Sequence, residues 1–246
     1  FDGRTKLGTC TLPAVSCTFS AAGLAVGTHT LTASYGGDAN YAGTTSTALT
    51  VTVARAPAIV RLDASSATPV FGQSVTITVR LTPTAATGTV RLDASTASGT
   101  VLLGSCKLAA GLCTLATTAL PAGAVTLVAS YPGDTSVTPG TATTTVSVGA
   151  ATTTTTLVSS ASSIRAGSKM TLTATVAART PSLAVPTGSV RYEYCRASGS
   201  VCSGSWTLIG SYALSGGTYK LSWTAPTAAS YLLRARYAPT AVSQFT

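Results

Sequence analysis

Segments of this sequence return within it at a nearly constant distance, and that recurrence limits what the chain can fold into more than any other feature. LGTC at 7–10 comes back as LGSC at 103–106, and LTASYGGD at 31–38 as LVASYPGD at 127–134, each 96 residues on. A third copy follows. AGSKMTLTA at 166–174 matches FGQSVTITV at 71–79, TGSVRYEY at 187–194 matches TGTVRLDA at 87–94, and Tyr237 takes the place of Tyr131. A recurring stretch of this size is one small domain, repeated. The chain therefore divides into 1–54, 55–149 and 150–246. Only the middle copy is complete; the first is expected to lack its opening strands and the third its last. The third copy also gains five residues in ARTPSLAVPTG and six between Val190 and Ile209. The junctions VTVARAPAIV and VSVGAATTTT are short and free of Gly/Ser tracts, which predicts semi-rigid beads rather than freely tumbling ones.

Within a copy the pattern is that of strands. Val75, Ile77, Val79 and Leu81 alternate with Thr76, Thr78 and Arg80, and Val125, Leu127, Ala129 and Tyr131 form a second such row. Alternation with a period of two places one face in a core. Turn signals separate the segments: TPTAATG, STASG, LAAG, LPAG and YPGD. Charged residues make up only 9% of the chain, against roughly a quarter in ordinary soluble domains; Thr, Ser, Ala, Val and Gly fill the gap, and the β-branched Thr and Val favour strands. No stretch carries helical periodicity, and no apolar run approaches a membrane span of about 18 residues. The expectation is an all-β chain of tandem two-sheet sandwiches with Greek-key connections and about seven strands per complete copy.

The six cysteines fall in three pairs, Cys10 with Cys17, Cys106 with Cys113 and Cys195 with Cys202, each with six residues between its members. The alternatives are disulfides and buried free thiols. The even count and constant spacing favour disulfides formed in an oxidising compartment. The spacing is too wide for a CxxC redox motif or a zinc knuckle. Each bridge is expected to close a hairpin, the third one in a different hairpin from the other two.

The segments TGTVRLDA, VLLGSCKL, LPAGAVTLVASYPGD and TTTVSV of the second copy, with LAVGTHTLTASYGGDANYAG of the first, resemble the bacterial Ig-like repeat family. The resemblance covers nearly the whole chain. The third copy departs from it: AP replaces the GD turn, and LPAG is lost. The family implies an immunoglobulin-like sandwich, tandem spacing, and an extracellular or cell-surface setting. It implies no particular ligand.

Catalysis needs titratable groups held together, and this chain has one histidine, one glutamate and five aspartates. His29 reads as an outward-facing strand residue, and Asp38 and Asp134 as carboxylates that bond their own turns rather than a calcium ion. No nucleophile elbow, P-loop or HExxH motif is present. The chain is expected to be no enzyme and to hold no cofactor or metal. Its net charge of +9 favours anionic partners, but the basic residues are scattered and have no interleaved stacking aromatics, so specific nucleic-acid binding is not expected. Aromatics concentrate in the third copy. Tyr192, Tyr194, Trp206, Arg234 and Arg236 are the candidate ligand contacts there, for a cell-surface glycan or an anionic envelope polymer. The leading functional expectation is a structural spacer whose partners are neighbouring Ig-like repeats, with self-assembly into a fibre as an extension of that role. The alternatives are an adhesion or carbohydrate-binding module using the third copy, and an accessory array of a large secreted enzyme.

Overall fold

The computed structural model describes residues 1–11, 16, 18–20, 23–240 and 244–246. Every regular element among them is a strand. The second repeat supplies seven: β5 (Ile59–Ala64), β6 (Val75–Thr82), β7 (Thr89–Thr96), β8 (Gly99–Lys107), β9 (Leu112–Thr117), β10 (Gly123–Tyr131) and β11 (Gly140–Val148), after four in the first repeat, β1 (Gly27–Leu31), β2 (Ser34–Tyr35), β3 (Thr44–Thr45) and β4 (Leu49–Val53). In the second repeat β5-β6-β9 form one sheet and β11-β10-β7-β8 the other. The chain changes sheet between β6 and β7, again between β8 and β9, and again between β9 and β10. The sandwich core lies between the sheets: Val75, Ile77, Val79 and Leu81 of β6 belong to one buried cluster with Val90 and Leu92 of β7 and Val125, Leu127, Ala129 and Tyr131 of β10. The alternating rows of the sequence are thus the two facing inner surfaces, and Thr76 and Arg80 are exposed as the alternation requires. Each large aliphatic side chain buried this way contributes about 1.5–3 kcal/mol.

The third repeat repeats the plan. Its strands are β12 (Thr153–Ser159), β13 (Lys169–Ala178), β14 (Ser189–Ser198), β15 (Val201–Cys202), β16 (Thr207–Ala213), β17 (Thr218–Thr224) and β18 (Tyr231–Ala238). β12-β13-β17 make one sheet; β14 lies between β16 and β18 in the other, as β7 lies between β8 and β10. A second core cluster fills the space with Leu172, Ala174, Val190, Tyr192 and Trp223. β11 covers the outer edge of β10. Among the described residues β18 pairs only with β14, and a cleft lined by Leu157, Ile164, Met170, Trp223, Tyr231 and Leu233 opens beside it. In the first repeat β1 pairs with β4 and β2 with β3.

The two disulfides among the described residues differ in what they join. Cys195 of β14 bonds Cys202 of β15, inside one hairpin of one sheet, with Cα atoms 5.8 Å apart. Cys106 and Cys113, with Cα atoms 5.6 Å apart, lie on β8 and β9, which belong to opposite sheets. The hairpin expected around them exists only as its turn. Ala110 and Gly111 both have positive φ, 49° and 73°, the signature of a tight two-residue turn, and Ala109 bridges Leu112 across it. Beyond that bridge β8 pairs with β7 and β9 with β6, so the bond staples the sandwich at its corner. Gly111 is required there, because a Cβ would stand 2.5 Å from the Leu81 carbonyl oxygen. The first pair, Cys10 with Cys17, includes Cys17, which lies outside the described residues.

Candidate functional site

For a chain of repeated sandwiches the places where function can reside are the joints and the outward faces. The joint between the second and third repeats is built from both sides. On the second repeat, Gly149 donates its N–H to Pro69 and accepts from Phe71, at 2.8 and 2.7 Å. On the third, Ala151, fully buried, exchanges hydrogen bonds with Gln244 and Thr246. The two residues flanking Ala150 are thereby strapped to opposite bodies. Across the gap the ring of Phe71 meets that of Phe245 edge-on at 5.4 Å, a geometry that adds to simple burial. The Leu183 N–H donates to Gly72 O at 3.0 Å, and Gln73 bridges Ser182.

Gly72 is the tightest point. Its φ is +75°, and a Cβ would fall 2.5 Å from Ala184 Cβ and 2.9 Å from Ser182 Oγ. Residues 182–184 belong to the five-residue gain in ARTPSLAVPTG. That insertion therefore forms, together with Phe245, the third repeat's half of the joint. The sequence signalled it only as a length difference. In the third repeat AGS at 166–168 stands where FGQ stands in the second, and a Cβ on Gly167 would meet nothing within 4 Å. Among the described residues no backbone hydrogen bond outside the strands joins 1–53 to the second repeat.

The five candidate contact residues of the third repeat separate by strand alternation. Tyr192 points into the core and is completely buried; its hydroxyl donates to Tyr219 O at 2.7 Å and accepts from the Ala174 N–H at 3.1 Å. Tyr194 lies on the same inner side, against Trp223 and Tyr231. Both are structural residues: Val190, Tyr192 and Tyr194 alternate onto the inner side, and clustering along the sequence could not tell inner from outer rings. Trp223 is the core tryptophan of the sandwich. Trp206, Arg234 and Arg236 do come together, on the outer face. The Arg234 guanidinium lies 3.9 Å over the Trp206 ring, and its Nε donates to Glu193 Oε2 at 2.6 Å. Glu193 is buried there despite its charge, as a carboxylate can be when paired. Arg191, which the sequence reading left out of the set, lies on the same side with Nη2 3.8 Å from Glu193 Oε1.

Asp134 and Asp38 close their own turns. Asp134 Oδ1 accepts from the N–H groups of Ser136 and Val137 and its Oδ2 from that of Thr87. The Thr87 N–H and its neighbours hold that carboxyl well below the usual carboxylate range. Asp38 accepts from Asn40 and Tyr41 in the same way. Among the described residues no group of three or more potential metal ligands is assembled. His29 corrects the outward reading. It shares the half-buried face of β1 with Leu31. Its Nδ1 lies 2.6 Å from Asp2 Oδ2, and its Nε2 lies 2.7 Å from Ala25 O. Both ring nitrogens thus lie against oxygen atoms, an arrangement that favours the protonated ring. Asp2 raises its pKa and is itself lowered by the same bond.

The sequence model described as bacterial Ig-like domain (group 3) matches residues 1–54 and 62–149. No curated protein matches the chain. Among solved structures, a Salmonella α-2-macroglobulin mutant is similar at 13% identity and a TM-score of 0.27, over 74% of this chain and 14% of that one. Domains A168–A170 of titin are similar at 11% identity and a TM-score of 0.29, over 85% of this chain and 68% of that one.

Proposed function

Because the chain belongs to the bacterial Ig-like domain (group 3) family, we propose that it is a structural array, with 1–54, 55–149 and 150–246 as successive modules that space other parts of an extracellular or cell-surface protein. The observation that carries this reading is the keyed contact of Phe71, Gly72 and Gln73 with Ser182, Leu183 and Phe245. A spacer transmits distance only if its modules do not fold back on one another, and a joint with ring packing and backbone hydrogen bonds resists that. Two disulfides accord with an oxidising setting outside the cytoplasm. The reading is non-catalytic: five of the six carboxylates are engaged by structural partners, Asp2 by His29, Asp38 and Asp134 by turn amides, Asp93 by Arg91, and Glu193 by Arg234. Extension into a fibre would follow from further modules joined the same way.

Negative-stain imaging of the whole protein tests the reading. The expected particles are elongated strings of beads, one bead per repeat. Compact particles in which the repeats collapse on one another overturn it.

A further inference from the structure

The second and third repeats share a framework on the outer face of one sheet, and the third has loaded it with charge. In the second repeat Arg91 and Asp93 of β7 pair with each other at 2.8 Å, and opposite them on β10 stand Ser130 and Val128. In the third repeat the corresponding Arg191 and Glu193 of β14 face Arg236 and Arg234 on β18. One arginine and one aspartate, net zero, become three arginines and one glutamate, net +2 (3 − 1).

Arg191 and Arg236 are direct cross-strand partners, an arrangement that is unfavourable for like charges unless a counter-charge sits between them. The one carboxylate on this face, Glu193, has its closest contact with Arg234. That bond uses Nε, and the stack on Trp206 fixes the guanidinium plane, so the terminal nitrogens of Arg234 are oriented with no hydrogen-bond partner described for them. Arg236 is exposed. Trp206 itself comes from the segment between β15 and β16, within the six-residue gain of this repeat.

We propose that Arg191, Arg234, Arg236 and Trp206 form a binding site for an acidic polysaccharide, the guanidinium groups taking its carboxylates and the half-exposed indole flanking a sugar ring. Planar guanidinium forks match carboxylates in pairs. Arg234 and Arg236 point to the same side of β18 about 7 Å apart, a spacing suited to successive charges on a polymer. One indole is no platform for a run of stacked bases, which sets the sugar polymer above a single-stranded nucleic acid. This site goes beyond the spacer role and does not depend on it.

The test is affinity electrophoresis of the 246-residue chain through gels containing polygalacturonate, polyphosphate or neutral dextran, at about 0.15 M salt to screen diffuse attraction. The expected result is retardation by polygalacturonate and none by dextran. R191Q/R236Q, which leaves the Arg234–Glu193 bond intact, is expected to weaken binding at least tenfold, and W206A at least threefold. R61Q/R80Q removes the same charge from the second repeat and is expected to change binding less than twofold. An equal loss in R61Q/R80Q, unchanged binding in R191Q/R236Q or W206A, or retardation by polyphosphate alone would each overturn the proposal. Circular dichroism of every variant separates lost binding from lost fold.

Discussion

At the scale of single residues, the third repeat shows how one letter of alternation decides a role. Tyr192 and Glu193 are neighbours, yet one anchors the core and the other an outer-face ion pair. The Tyr192 hydroxyl satisfies a carbonyl and an amide from two different strands of the facing sheet, so Tyr192→Phe leaves both without that partner. Chemical denaturation is expected to give a loss of about 1–3 kcal/mol, with the folded spectrum retained. The Asp2–His29 pair carries a pH dependence of known sign. A histidine with a raised folded-state pKa contributes fully below its unfolded value near 6.5 and loses that contribution as pH rises through the folded value. The tie between residues 1–5 and β1 therefore loosens on the alkaline side. NMR titration of the His29 ring checks this: the midpoint is expected above 6.5 in the wild type and to fall in Asp2→Asn.

At the scale of elements, period-two alternation made β6 and β10 legible residue by residue, and the turn signals separated β6 through β11 of the second repeat. The turns of Asp38 and Asp134 were equally legible, because an Asx turn is a local bond. Which sheet each strand joins was not. Sheet membership depends on pairing across dozens of residues, and the LAAG turn reads the same whether its strands stay together or part. For that reason the Cys106–Cys113 bond was expected in a hairpin and sits at a corner. Its loop of about eight residues gives a stabilisation of roughly 2.5 kcal/mol by the loop-entropy relation. Cys106→Ser/Cys113→Ser is expected to lower the melting temperature of the second repeat by ~10–20 °C, and calorimetry reads that directly. The outer-face site was half visible: Trp206, Arg234 and Arg236 were found by composition, whereas Arg191 needed the cross-strand register that places it opposite Arg236.

At the scale of the whole molecule, the second and third repeats keep separate cores and meet at the joint around Gly72. The sequence announced the repeats through their offsets and the short junctions through the lack of Gly/Ser tracts. It did not announce that an insertion in one repeat becomes the socket for its neighbour, because a five-residue gain carries no address for what it touches. Gly72→Val is the variant that tests the socket. Its side chain would collide with Ala184 and Ser182, and its positive φ would add about 1–2 kcal/mol of local strain. Residual dipolar couplings of the backbone amides give the most direct reading. The second and third repeats of the wild-type chain are predicted to fit a single alignment tensor, and in Gly72→Val to need two. If the wild-type repeats already require separate tensors, the joint does not hold them and the account of a stiff array fails.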